Sequence, residues 1–122
     1  MMAIVRPALM HSCNPYLCYV FRSIVDQKKF KTFEEAYNNW HDHIQSFGIG
    51  TTLGIDLFGE GKGILKTADY YNKIYGKGSW KGSTIISLAI GQGELGVTPL
   101  QMANVMAIIA NRGYYITPHI LR

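Results

Sequence analysis

Two short patterns in the sequence contain residue types that could do chemistry. The first is Ser12-Cys13-Asn14, in which a hydroxyl and a side-chain amide are two positions apart. A hydroxyl both donates and accepts hydrogen bonds, and a side-chain amide donates through its nitrogen and accepts through its oxygen, so both groups could take part in a polar site. Ser-x-Asn is also frequent by chance, and Asn14 before Pro15 is equally typical of a helix N-cap. Both interpretations of Asn14 stay open at this point.

The second pattern is Gly91-x-Gly93-x-x-Gly96, which follows the apolar residues 85–90. Glycines at this spacing are typical of a dinucleotide-binding turn between a strand and a helix. Two features oppose that interpretation. The next helix begins only after the glycines, and no Asp or Glu follows Glu94 to bind a ribose. A dinucleotide-binding domain is therefore a minor alternative.

The helix after these glycines has the strongest local signals in the chain. Thr98 and Gln101 predict a capping box with Pro99 as the first helical residue, and Gly113 predicts a stop after about Arg112. Nearly all of its residues are apolar, which predicts a helix buried on every face. At 14 residues it is about 21 Å long, shorter than the roughly 30 Å core of a membrane. It is therefore predicted to be a core helix and not a membrane span.

Three further helices are expected before it. The first begins at Pro15 with Asn14 as its cap, the second follows the capping box at residues 32–35 and stops at Gly48, and the third spans residues 67–75. Between the last two, residues 48–63 are rich in glycine with alternating apolar residues, which predicts a long ordered loop. We refer to residues 48–63 as the glycine-rich loop. The sequence thus predicts a mainly α structure.

Composition excludes several classes of protein. A length of 122 residues fits one domain or a large piece of one, and the net charge of +4 comes from scattered basic residues, so no nucleic acid partner is predicted. Cys13 and Cys18 are too few for a disulfide framework and are expected to be free thiols. His41 and His43 are two positions apart on a helix and point in opposite directions, so no metal site is predicted, and no cofactor site either.

Over nearly its whole length the chain resembles the transpeptidase domain of class B penicillin-binding proteins, especially the elongation-type branch called penicillin-binding protein 2. Four stretches carry this resemblance, in the order found in the family: the Ser-x-Asn motif within residues 11–16, the glycine-rich stretch at 47–60, the Gly-Gln-Gly and Val-Thr-Pro-Leu-Gln segment at 90–102, and residues 109–119. Phe58 stands where the family usually has proline. That difference affects a local turn only.

This resemblance implies the helical central part of the α+β penicillin-binding protein/β-lactamase-like transpeptidase fold. It also implies serine acyl transfer on peptidoglycan stem peptides that end in D-alanyl-D-alanine, and acylation by β-lactams. The family roles that map onto this chain are a proton relay for Ser12 and substrate binding for Asn14. For the complete protein, the resemblance implies a membrane-anchored enzyme with this domain on the periplasmic side. Its implied partners are a membrane glycosyltransferase and the elongation machinery.

Two motifs of the superfamily are missing from the sequence. No serine is followed by lysine three residues later, so the nucleophile of the Ser-x-x-Lys motif is absent. Lys66-Thr67-Ala68 is similar in sequence to the Lys-Thr-Gly motif. In the family, however, that motif lies after the Gly-Gln-Gly segment, so its position is expected beyond Arg122. Residues 1–122 are therefore expected to be an internal fragment, from the Ser-x-Asn motif to before the Lys-Thr-Gly strand. We expect it to be inactive alone and to self-associate.

A different class of function also fits part of the sequence. Several aromatic residues near the third helix could be exposed and could form the contact surface of a non-catalytic helical interaction module; they are Tyr70, Tyr71, Tyr75 and Trp80. The sequence alone leaves this alternative open, because it does not say which aromatic rings are covered.

Overall fold

Five α-helices dominate the structure, with one 3-10 helix and one short antiparallel strand pair. The computed structural model describes residues 2–121. The helices are α1 (Met2–Met10), α2 (Asn14–Val25), α3 (Phe33–Ser46), α4 (Ala68–Tyr75) and α5 (Pro99–Ala110), and the 3-10 helix spans Ile86–Ile90. Strand β1 (Ile64–Leu65) pairs with strand β2 (Leu95–Gly96). The prediction of a mainly α structure is confirmed.

Side-chain caps start α3 and α5 where the sequence predicted them. At α3 the Glu35 N–H donates to the Thr32 hydroxyl at 3.1 Å, and the Lys31 N–H donates to the Glu35 carboxylate at 3.0 Å. At α5 the Thr98 hydroxyl and the Gln101 side-chain oxygen each accept from the other residue's N–H, at 3.2 and 3.0 Å. Each cap satisfies N–H groups that have no partner within the helix.

An aromatic cluster forms the core between α3, α4 and the segment after α4. The rings of Tyr37, Tyr71 and Trp80 are buried and contact one another with centroids 5.0 to 5.5 Å apart. The polar atoms of two rings have partners: the Trp80 indole donates to Asn72 at 2.8 Å, and the Tyr37 hydroxyl donates to the carbonyl of Lys66. Buried aromatic rings with satisfied polar atoms stabilise a core and fix its geometry.

The middle and the C-terminal end of α2 are held by apolar packing. Phe21 and Val25 are buried, and the Phe21 ring meets the Trp40 ring of α3 edge-on at 5.2 Å. Leu88 of the 3-10 helix belongs to the same cluster. A cavity of about 270 Å³ lies between these elements and Ile49 of the glycine-rich loop. The packing fixes α2 against the body, so its N-terminal end has a defined place.

The burial of α5 differs from the prediction. Three large apolar residues are exposed, with relative exposures of 45%, 55% and 65%; they are Met102, Met106 and Ile109. We call them the apolar face of α5. The buried residues are instead Gln101, Asn104 and Ile108. The prediction of burial on every face is therefore wrong for the described part of the chain. The side of α5 that is buried there contains the amides of Gln101 and Asn104, which donate hydrogen bonds to the backbone of residues 47–62, and the opposite apolar side is exposed.

The N-terminal helix α1 was not predicted, since its sequence shows no capping residue and contains Pro7. It precedes the Ser-x-Asn motif directly and contributes the buried residue Ala8. Among residues 2–121, no helix has the length and apolar character needed to cross a membrane.

Candidate active site

The Ser-x-Asn motif forms the turn between α1 and α2. The Ser12 N–H donates to the carbonyl of Leu9 at 3.1 Å, and the Cys13 N–H donates to that of Ala8 at 2.8 Å. These two bonds define a Schellman motif at the end of α1, with Ser12 at the C′ position. Ser12 accordingly has a φ of +47°, in the left-handed region where glycine is usual. The motif therefore holds a serine in a costly backbone conformation.

Asn14 lies inside α2 and does not cap it. The N-cap is Cys13, whose backbone is extended and whose side chain makes no capping hydrogen bond. The carbonyl of Cys13 accepts the first helical bond, from the Leu17 N–H at 3.1 Å. The interpretation of Asn14 as the cap of this helix is therefore wrong. The reason is that the tight turn at Ser12 starts the helix one residue earlier than the Asn-Pro signal suggests.

Ser12 and Asn14 both present exposed side chains. Among residues 2–121, no hydrogen bond given by the structure uses the Ser12 hydroxyl or the Asn14 amide. Two polar groups at a fixed backbone turn are thus available to external atoms, one able to pass a proton and the other able to donate to a carbonyl.

Cys13 faces the other side of the same turn. It is half-buried and lines a largely apolar cavity of about 440 Å³ between α1 and α2, together with Pro7 and Tyr16. Cys13 and Cys18 are both free thiols, as predicted.

The glycine-rich loop is closed by Glu60. The Glu60 carboxylate accepts hydrogen bonds from the N–H groups of Leu53, Gly54 and Ile55, the last two at 2.9 and 3.1 Å. Partial burial acts to raise the pKa of Glu60, but these three donors outweigh it and hold the pKa below its ordinary value. The loop is therefore an ordered ring, as its apolar alternation predicted.

Two polar side chains of α5 hold the base of the loop. The Gln101 amide nitrogen donates to the carbonyls of Thr51 and Lys62, both at 2.9 Å, and the Asn104 amide donates to Phe47 at 3.2 Å. Apart from the Gln101 cap, neither role was predicted from the sequence. The available signal was a pair of amides three residues apart on an otherwise apolar helix, which places both on one face.

Asp56 connects the loop to the segment after α5. Its carboxylate accepts hydrogen bonds from the N–H of Ile120 at 3.0 Å and from the N–H of Leu121 at 2.7 Å. These backbone donors, first that of Leu121 and then that of Ile120, lower the pKa of Asp56, and the nearby His119 acts in the same direction. Two distant stretches of the resemblance, residues 47–60 and 109–119, are thereby brought together.

The Gly-Gln-Gly segment continues from the 3-10 helix and not from a strand. Gly91 and Gly93 have φ values of +70° and +72°, and a Cβ on Gly93 would lie 2.4 Å from the Ser87 hydroxyl. The Gln92 N–H donates to the carbonyl of Ser87 at 3.0 Å. A dinucleotide-binding turn needs a preceding strand and a helix that starts at the glycines. Neither is present here, so that alternative is wrong.

The four aromatic residues considered for an interaction module do not form the exposed surface that such a module requires. Tyr71 and Trp80 are buried in the core, Tyr70 is half-buried, and only Tyr75 is exposed. These rings pack on one another and do not form an open aromatic patch.

Comparisons with known proteins identify the family to which this chain belongs. The family model of the penicillin binding protein transpeptidase domain matches residues 3–122. The peptidoglycan D,D-transpeptidase MrdA of Acinetobacter baumannii is 33% identical over 116 residues, which cover 94% of this chain and 15% of that protein. The protein of the same name from Escherichia coli K12 is 33% identical over 106 residues, which cover 84% of this chain and 17% of that protein.

A solved structure of this family has a similar fold over most of the chain. The crystal structure of Pseudomonas aeruginosa PBP2 in complex with WCK 5153 superposes with a TM-score of 0.68 at 26% identity, covering 89% of this chain and 22% of that one. The chain therefore spans about a sixth to a fifth of the length of the relatives it matches. Because the family model matches nearly every residue, the chain belongs to the penicillin-binding protein transpeptidase domain family and is similar to its PBP2-type members.

Proposed function

We propose that the chain is part of a peptidoglycan D,D-transpeptidase, an enzyme that forms an acyl-serine with stem peptides ending in D-alanyl-D-alanine and reacts with β-lactams in the same way. Family membership and the similarity to peptidoglycan D,D-transpeptidases of the MrdA type support this proposal. Residues 1–122 would supply the part of the domain from the Ser-x-Asn motif to before the Lys-Thr-Gly strand. The rest of the domain would cover the apolar face of α5.

The observation that carries the proposal is the turn between α1 and α2. A left-handed residue is costly, and glycine would adopt that conformation without strain. At this position the chain has Ser12, and its hydroxyl contributes no bond to the fold of the described residues. Asn14 is likewise exposed and does not serve as the helix cap. Side chains that the fold does not use, at a strained turn, are typical of a functional site.

The two side chains would act at different stages. Ser12 would relay a proton between the nucleophile and the leaving amine, because its hydroxyl can accept one proton while it donates another. Asn14 would donate its amide N–H to a carbonyl of the acyl donor and hold that carbonyl in place, which lowers the entropy cost of reaction. The nucleophile itself would come from a Ser-x-x-Lys motif outside this sequence.

The location and partners of the complete protein follow from the same proposal. Peptidoglycan stem peptides and β-lactams would be its ligands, which places this domain on the periplasmic side of a membrane-anchored enzyme. A membrane glycosyltransferase and the elongation machinery would be its partners, on the resemblance to elongation-type members. No step of the proposed reaction needs a cofactor.

Covalent labelling tests the proposal directly. The full-length protein should be labelled by a fluorescent penicillin on one serine, and peptide mapping should place the adduct outside residues 1–122. The 122-residue chain alone should stay unlabelled, because an acyl-enzyme cannot form without the attacking serine. Stoichiometric labelling of a serine within these residues would contradict the proposal that the nucleophile lies outside residues 1–122.

Substitution of Asn14 tests the substrate-binding role. Asn14→Ala in the full-length protein should reduce the rate of acylation by a stem-peptide analogue, while the melting temperature changes little because Asn14 is exposed and caps nothing. Asn39→Ala, an exposed asparagine on α3, is the matched control and should leave acylation unchanged. Equal acylation rates in both variants would refute the role of Asn14.

A further inference from the structure

Four side chains connect the glycine-rich loop to other parts of the chain or close it on itself. Gln101 and Asn104 hold its base on α5, and Glu60 closes its outer part. Asp56 lies within the part that Glu60 closes, so its backbone has a fixed position. Its carboxylate is turned outward, to the backbone of Ile120 and Leu121.

These contacts form a closed path through the structure. From the end of α5 the chain runs through residues 111–119 to Ile120, which bonds to Asp56, and the loop then returns to α5 through Gln101. Gly54 also lies near this segment, since a Cβ added to it would be 4.0 Å from the methyl group of Thr117. Residues 111–119 contain no helix or strand of their own. Their course is therefore set at its far end by Asp56.

We propose that Asp56 is a positioning residue that ties the segment after α5 to the glycine-rich loop and so fixes the positions of Ile120 and Leu121. This inference rests on the proposed function in one respect: the substrate-binding Lys-Thr-Gly strand would follow this segment. Asp56 would then affect ligand binding by fixing the position of that strand, and it would not contact the ligand itself. The loop would be the part that connects α5 to the substrate-binding strand.

Hydrogen exchange tests the tether without assuming any activity. In the full-length protein, Asp56→Asn should speed exchange of the Ile120 and Leu121 amides by about 10- to 100-fold, the range expected when hydrogen bonds to a charged group are lost. The Gln101 and Thr98 amides at the start of α5 should exchange as before. Asp42→Asn removes the same charge from an exposed site on α3 and should change none of these rates. Unchanged exchange in Asp56→Asn would overturn the inference.

Acylation kinetics of the full-length protein test the positioning role. Asp56→Asn should weaken the initial binding of a penicillin, by no more than the roughly 10- to 100-fold that hydrogen bonds to a charged group contribute, while the rate constant of the acylation step stays near that of the unmodified protein. A merely destabilised protein would instead show a smaller reactive fraction with normal binding. Faster exchange at Ile120 and Leu121 with unchanged penicillin binding would overturn the role in ligand binding.

The two tests separate this inference from the proposed function. If the unmodified full-length protein does not react with penicillin at all, the proposed function fails. The tether at Asp56 is then decided by the exchange measurement alone. If the protein reacts and Asp56→Asn changes neither exchange nor binding, the proposed function stands and the inference about Asp56 fails.

Discussion

Replacing Ser12 by glycine and by alanine separates its chemical role from its structural one. Both variants remove the hydroxyl, but only glycine relieves the left-handed backbone at φ +47°. If Ser12 relays a proton, both variants of the full-length protein should be acylated about 10²- to 10⁴-fold more slowly, the usual contribution of a general acid or base. Their effects on stability should differ, since alanine keeps the strain.

The size of the stability difference follows from the backbone geometry. A left-handed conformation costs an L-residue about 1–2 kcal/mol. Glycine avoids this cost but gives the unfolded chain more freedom, which offsets about 0.4–1 kcal/mol of the gain. Ser12→Gly should therefore increase the free energy of unfolding by at most about 1.5 kcal/mol, with a central value of about 0.8 kcal/mol. The corresponding rise in Tm should be a few degrees at most.

The structure also offers a matched control for this prediction. Arg112 occupies the same C′ position at the end of α5, with a φ of +61°, and its N–H donates to Ile109 at 3.2 Å. Arg112→Gly should stabilise the protein by a similar amount and leave acylation unchanged. It removes left-handed strain without touching the Ser-x-Asn motif.

Two measurements on each variant decide the outcome. The acylation rate constant is followed by stopped-flow or gel-based penicillin labelling, and Tm by scanning calorimetry. A Ser12→Gly protein that is more stable and still acylated at a near-normal rate would refute the relay. A Ser12→Gly protein that is less stable, while Arg112→Gly is more stable, would refute the account of strain at the motif.

Further predictions concern stability and association. Gln101→Leu should lower the free energy of unfolding by about 1–3 kcal/mol in urea titrations, since the carbonyls of Thr51 and Lys62 lose the buried Gln101 amide as their donor. Folding lowers the pKa values of both loop carboxylates, Asp56 and Glu60. These carboxylates therefore stabilise the folded state above about pH 4, and this stabilisation is lost as the pH falls further. Amide exchange in the loop should report the loss. Burial raises the pKa of Tyr37 to about 12, so the unfolded state loses this proton first and stability should fall as pH rises from 10 towards 12, measured by urea titration. Light scattering should show that the 122-residue chain self-associates through the apolar face of α5. Met106→Lys should weaken this self-association, because it places a charge on that face.

The parts of the fold that were predicted correctly are those with a local cause. The starts of α3 and α5 follow from capping boxes whose partners are three residues apart, so the sequence contains both halves of each interaction. The loop between α3 and α4 was predicted because its many glycines oppose regular structure. No long-range contact is needed for either prediction.

The start of α2 was predicted one residue too late, because its cause lies outside the helix. Asn14-Pro15 is a good local signal for a cap at Asn14. The Schellman turn of α1 places Ser12 in the left-handed region and Cys13 in the extended conformation, and this determines where α2 begins. Since α1 has no local signal of its own, the sequence did not reveal the turn that precedes the motif.

The burial of α5 shows a different limit of sequence patterns. A helix composed mostly of apolar residues predicts burial, yet the side that faces the described part of the chain contains Gln101 and Asn104. These amides are buried because the carbonyls of the glycine-rich loop need donors, and no window of sequence around α5 contains those carbonyls. The hydrogen bonds of Gln101 and Asn104 explain why these amides are buried, and they leave Met106 on the exposed side. On the proposed function, the rest of the transpeptidase domain would cover this apolar face, so α5 would lie between the loop and a further apolar surface.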